Sequence, residues 1–107
     1  MSTRTHSEFN PAFFQGLFGS DIPEWKAFIE VTVKTFKEAQ VKLREATKSG
    51  DMQTVSDTRH SIGPSLTQWG AVSLESELRR LEASNMAATW SELEPEFEAL
   101  LAAFDRL

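Results

Sequence analysis

The sequence contains no cysteine, which removes disulfides, thiolate metal sites and cysteine nucleophiles together. Only two histidines are present, too few for a multi-histidine metal centre, and no metal site is expected. Basic residues are in the minority, with 11 Lys and Arg against 16 Asp and Glu and a formal net charge of -5. A nucleic-acid binder normally carries a basic stripe, so that class of partner is not expected. No apolar run approaches the length needed to cross a bilayer, so neither is membrane insertion. Residues 1–7 are polar and lack the apolar centre of a signal peptide, which makes a cytoplasmic location the expectation. Strand signals are nearly absent as well, because the few β-branched residues do not alternate with polar ones.

What is present is helical spacing. The 107 residues suffice for one domain over 1–107 with one core, burying roughly two thirds of the unfolded surface. Residues 1–9 read as a loosely ordered tail, and no repeat or interdomain linker follows. Asn10 before Pro11 reads as an N-cap and first helical residue. The short helix it opens carries Phe13, Phe14, Leu17 and Phe18 and stops at Gly19. It is read as a lid over one end of a bundle, with an exposed dimer contact as the alternative.

Asp21 and Glu24 form a capping-box pattern that tolerates Pro23 in the first turn. Trp25, Phe28, Ile29, Thr32, Phe36, Ala39, Leu43 and Ala46 then recur at three- and four-residue steps, the mark of a long amphipathic helix. Lys48 lies near its end, Gly50 stops it, and Asp51 caps the next. The third segment sets Met52, Val55, Ile62, Leu66 and Trp69 on one side and closes at Gly70. Ser73 reads as the cap of a fourth segment with Leu74, Leu78 and Leu81 inward. Residues 84–88 read as a loop, and Thr89 or Ser91 opens a last helix with Trp90, Leu93, Phe97, Leu100, Leu101 and Phe104, placing Pro95 near its first turns. Short connections favour antiparallel neighbours. The expected fold is all-α: an antiparallel up-down-up-down four-helix bundle with a short additional N-terminal helix.

His60 falls on the third segment. At about 100° per residue it projects well away from Val55, Ile62 and Leu66, among Gln53, Ser56, Asp57, Pro64 and Thr67. Read alone, such a histidine is an ordinary solvated side chain. Its setting changes that reading. The stretch 59–70, Arg-His-Ser-Ile-Gly-Pro-Ser-Leu-Thr-Gln-Trp-Gly, resembles the phosphoacceptor helix of histidine-containing phosphotransfer (HPt) domains. His60, Ile62 and Gly70 match the family pattern. The run 74–82 resembles the family's next helix, and 21–50 its long second helix, so the likeness covers most of the chain. Two positions depart from it. Gly63 stands where the family usually has a lysine that holds the phosphoryl oxygens, and Pro64 where it usually has glycine.

The resemblance implies a phosphorelay intermediate: His60 accepts a phosphoryl group from an aspartyl phosphate of a response-regulator receiver domain and passes it on. The partners it implies are that receiver and a hybrid sensor kinase, with the chain itself a monomer. An imidazole of ordinary pKa, near 6.5, is about three quarters neutral at pH 7 and so able to attack. By the same likeness the receiver supplies the metal ion, and this chain is expected to hold no cofactor. Gly16 and Gly19 match no phosphate-loop spacing, so no independent kinase or hydrolase activity is expected. The docking surface is expected around Arg59, His60, Gly63, Pro64, Thr67 and Gln68, with parts of the second helix and exposed residues such as Val41. Arg59 is a candidate substitute for the lysine, although it points about 100° around the helix from His60 and suits a side chain lying along the bundle. Arg79 and Arg80 are further candidates. A proline within a helix costs about 3 kcal/mol and crowds the carbonyl four residues earlier, so a kink or local break is expected at 60–64.

Other polar residues read more plainly. Ser56, Ser61 and Ser65 have no second histidine placed to activate them, and His6 lies in the polar tail. Glu92, Glu94, Glu96 and Glu98 are scattered over several helix faces, with no Glu-x-x-His pattern to build a metal site. Two alternatives to transfer stay open: an HPt-like module that docks a receiver or other protein without carrying phosphate, and a helical adaptor in which His60 is incidental.

Overall fold

The computed structural model describes residues 9–107; His6 and most of the expected tail lie outside them. Phe9, placed in that tail by its sequence, instead stacks on Trp69 and meets Phe104 edge-on. The described residues form five helices: α1 (Ala12–Phe18), α2 (Ile22–Ser49), α3 (Met52–Gln68), α4 (Val72–Leu78) and α5 (Met86–Phe104). Each of α2 to α5 packs on the next, α5 packs back on α2, and α1 lies on α2. These contacts are consistent with a helical bundle preceded by a short N-terminal helix.

The caps explain the early boundaries. Asp21 Oδ1 accepts the Glu24 amide at 3.1 Å, satisfying one of the orphan donors of α2. Gly50 ends α2 in the left-handed region, φ 79° and ψ 22°, where any Cβ would be strained. Asp51 then accepts both the amide and the hydroxyl of Thr54. Gly70, at φ 87°, ends α3, and the Ala71 amide returns to the Leu66 carbonyl at 2.9 Å. Asn10 caps α1 one residue outside the expected place: its Oδ1 accepts the Ala12 amide, and the helix begins after Pro11.

Later boundaries differ from the sequence reading. Helix α4 starts after Ala71 rather than Ser73 and ends at Leu78, leaving buried Leu81 in the following loop. Helix α5 starts after Asn85, so most of the expected 84–88 loop is its first turn and neither Thr89 nor Ser91 opens it. Pro95 therefore lies well inside α5. Pro95 and Ser91 are both exposed, so the missing hydrogen bond faces outward, where a carbonyl can stay solvated. The same holds at Pro64. Helix α3 runs unbroken from Met52 to Gln68, because the freed His60 carbonyl lies on the exposed side while Ile62 and Leu66 keep the helix against the core. The expected local break does not occur.

Trp69 is the hub of the core. It is fully buried, and its ring meets Phe14 at 4.6 Å, Phe104 at 4.7 Å, and Trp25 and Phe28 at 6.0 Å between centroids. Its carbonyl also accepts the Asn10 amide at 2.8 Å. Helix α1 thus covers the end of the bundle through Phe14, while Phe13 and Leu17 stay 54% and 67% exposed. Across the other side, buried Gln40 donates to Glu94 and Glu98, and Arg44 Nε donates to Glu94 at 2.8 Å, tying α2 to α5.

Trp69→Ala should lower unfolding free energy in urea by about 3–5 kcal/mol, as deletion of a buried aromatic does. Asp51 is held below the usual carboxylate range by the Thr54 hydroxyl and then its amide. A depressed folded pKa contributes stability above the unfolded value and loses it as pH falls through the folded one. The urea midpoint of Asp51→Ala should therefore lie below that of wild type at neutral pH, and the gap should narrow as pH falls below about 4.

Candidate functional site

The apolar stripe of α3 determines what its other face presents. Val55, Ile62, Leu66 and Trp69 are all buried, and helical periodicity turns His60 away from them. His60 is exposed and is the ninth of the 17 residues of α3, at mid-height of the helix. It lines a groove of about 530 Å³ together with Arg59, Gly63, Pro64 and Thr67 from α3 and Glu75, Leu78 and Arg79 from α4 and its end.

Of the residues expected around the site, Arg59, Gly63, Pro64 and Thr67 share this groove with His60. Gln68 is exposed but does not line it. The neighbouring helix is α4, not the long α2: residues of α2 line a separate groove with Asp57, Thr58, Ser61 and Ile62. Val41 is farther still, in a groove between α2 and α5. Both were expected to contribute to docking, but neither shares the His60 groove. A one-residue step around a helix is about 100°, which is enough to send Ser61 to one neighbour and His60 to the other.

Five of the groove residues make identifiable contacts. Arg59 reaches across to the end of α4, where its Nη1 donates to the carbonyls of Leu81 at 2.9 Å, Leu78 at 3.2 Å and Arg79 at 3.4 Å. Helix C-termini leave carbonyls without partners and carry partial negative charge, and a guanidinium answers both. Its first task is therefore to fasten α4 to α3. The Thr67 hydroxyl donates to the Gly63 carbonyl at 3.2 Å. Gly63 itself is buried. A Cβ there would meet Glu75 Oε2 at 3.4 Å, so the space over position 63 holds a carboxylate and is not an open approach path. Glu75 in turn accepts from Arg79 Nε at 2.6 Å.

The sequence contained no local signal for this arrangement. Glu75 and Arg79 are recognisable as an i,i+4 pair, but that they face position 63 depends on how α4 is packed. Among the described residues, no three metal-ligating side chains come together, and no helix is long and apolar enough to cross a membrane. Comparisons with protein-family models, with curated proteins and with solved structures found no match.

A Cβ at position 63 would meet only the Glu75 side chain, Oε2 at 3.4 Å and Cγ at 3.9 Å, both ordinary contact distances. Gly63→Ala should therefore fit, and should raise stability by about 1 kcal/mol through helix propensity. A urea titration reads this directly. A loss of stability would show that Glu75 cannot move off the position.

Proposed function

We propose that this chain is a phosphotransfer module of the HPt type, carrying a phosphoryl group on His60 between receiver domains in the cytoplasm. In this reading α2 to α5 form an antiparallel up-down-up-down bundle, and the chain acts as a monomer whose phosphate comes from a receiver coupled to a hybrid sensor kinase. The observation that supports it best is the place of His60: exposed, midway along α3, on the wall of a groove with a guanidinium beside it. A nucleophile for a docked protein has to be reachable by an in-line approach, and an outward imidazole on a rigid helix offers that without reorganisation.

The step itself is simple. The lone pair of the unprotonated ring nitrogen forms the N–P bond. The P–O bond of the aspartyl phosphate breaks, and its electron pair leaves with the receiver's carboxylate. The proton on the other ring nitrogen stays where it is. Nothing in this step asks the chain for more than position and charge, since phosphoryl transfer is largely a matter of both.

One observation favours a second reading, in which the same groove docks a receiver without accepting phosphate. The Glu75 carboxylate lies against position 63, and a like charge close to a phosphoryl group opposes it. The two readings separate in one experiment. A panel of receiver domains, charged with acetyl phosphate, is incubated with the chain and the label is chased into acid. Transfer predicts acid-labile label on wild type that is lost in His60→Gln. Label that persists in His60→Gln rejects His60 as the carrier, and binding of a receiver without any label supports the docking reading.

A further inference from the structure

Three charged side chains line the groove beside His60: Arg59, Glu75 and Arg79. A phosphoryl group brings about -1.5 to -2 charges and three acceptor oxygens, and it needs a cation to meet them. Arg59 is committed elsewhere, with its Nη1 on three backbone carbonyls at the end of α4. Moving it would unfasten that helix. Arg79 is differently placed. Its Nε donates to Glu75 Oε2 at 2.6 Å, while its side chain remains 73% exposed and that of Glu75 only 14%.

From this we infer that Arg79 is the phosphoryl-binding cation of the His60 groove, and that Glu75 holds it in reserve until the phosphoryl group arrives. The inference rests on the reading of His60 as a phosphoryl acceptor and adds to it the residue that meets the transferred group. Glu75 lies over position 63 and its side chain is mostly buried, so the carboxylate is held against the helix while its partner reaches out toward solvent. A guanidinium presents five N–H donors in a planar fork. Spending Nε on Glu75 leaves the terminal nitrogens to turn toward a second anion. In the resting groove the pair is neutral, which keeps stray anions from collecting there. With phosphate on His60, the same guanidinium is shared between two anions, and the Glu75 carboxylate limits how tightly the phosphoryl group is held. An intermediate that must give its phosphate up again benefits from that limit.

Phosphoramidate tests this without any receiver. Its P–N bond breaks, ammonia leaves, and a new N–P bond forms on His60; phosphorus NMR follows the product, with His60→Gln as the blank. Arg79→Gln should slow labelling of His60 about tenfold, a smaller loss than removal of an enclosed transition-state donor because this one is exposed. Arg79→Lys should restore part of the rate, and Glu75→Gln should raise it severalfold with longer-lived phosphohistidine. Circular dichroism should be unchanged in all three, since Arg79 lies at the surface and glutamine matches the size and shape of Glu75. Labelling of Arg79→Gln at the wild-type rate overturns the inference while leaving transfer from a receiver standing. So does slower labelling in Glu75→Gln, which would make the carboxylate an aid rather than a restraint. If phosphoramidate labels His60 in an Arg79-dependent way but every receiver fails, this inference holds and the relay reading falls. No labelling of wild-type His60 overturns the inference outright.

Discussion

The rotation of α3 about its own axis is the constraint on which the site depends, and Trp69 sets it. That ring closes the helix and sits at the centre of an aromatic cluster supplied by α1, α2 and α5. With Trp69 buried at one end and Val55 at the other, the helix cannot turn without exposing both. His60 then has one direction left, outward. Burial of apolar area is non-directional in itself, but two anchors well separated along a helix convert it into a definite orientation for every residue between them.

A second constraint decides what His60 has for a neighbour. Helix α4 is short, with no side-chain cap at its start, and little in its own sequence would hold it in place. Leu74 and Leu78 bury one side of it, and Arg59 captures the carbonyls at its end. Arg59 acts from the residue next to His60, so the same turn of α3 that presents the imidazole also fixes the wall opposite. The proposed division of labour follows: one arginine builds the groove, and another, on that wall, is left to act in it. Glu75, which holds the second arginine, lies over position 63 between the two helices.

Much of this was legible beforehand. Asp21, Gly50, Asp51 and Gly70 announced their boundaries because capping chemistry is local and needs only a few neighbouring residues. The outward direction of His60 was legible for a related reason, since periodicity relates it to Val55, Ile62 and Leu66 without reference to any other helix. The start of α5 was not. The Asn85 side chain closes the preceding turn by accepting the Glu82 amide, and no side chain caps the helix. Pro95 invited a start close to itself, yet an outward-facing proline is tolerated deep in a helix whose inner face is this apolar. Ser73 misled in the same manner, because α4 takes its first turn from the chain reversal at Gly70. Least legible were the contacts made across helices: Arg59 onto the end of α4 and Glu75 over Gly63. Both join residues 12 or more apart, and only the packing brings them together.

The proposed function requires one surface, the α3–α4 groove, to be the place where a partner meets His60. Amide chemical-shift mapping of the isotopically labelled chain, titrated with a receiver domain locked in its active form by beryllofluoride, tests this most directly. The perturbed amides should cluster on α3 around His60 and on α4 around Glu75 and Arg79, while those around Val41 and Leu101 stay still. Perturbations confined to the α2–α5 groove, or to the exposed side of α1 at Phe13 and Leu17, would contradict the proposed function.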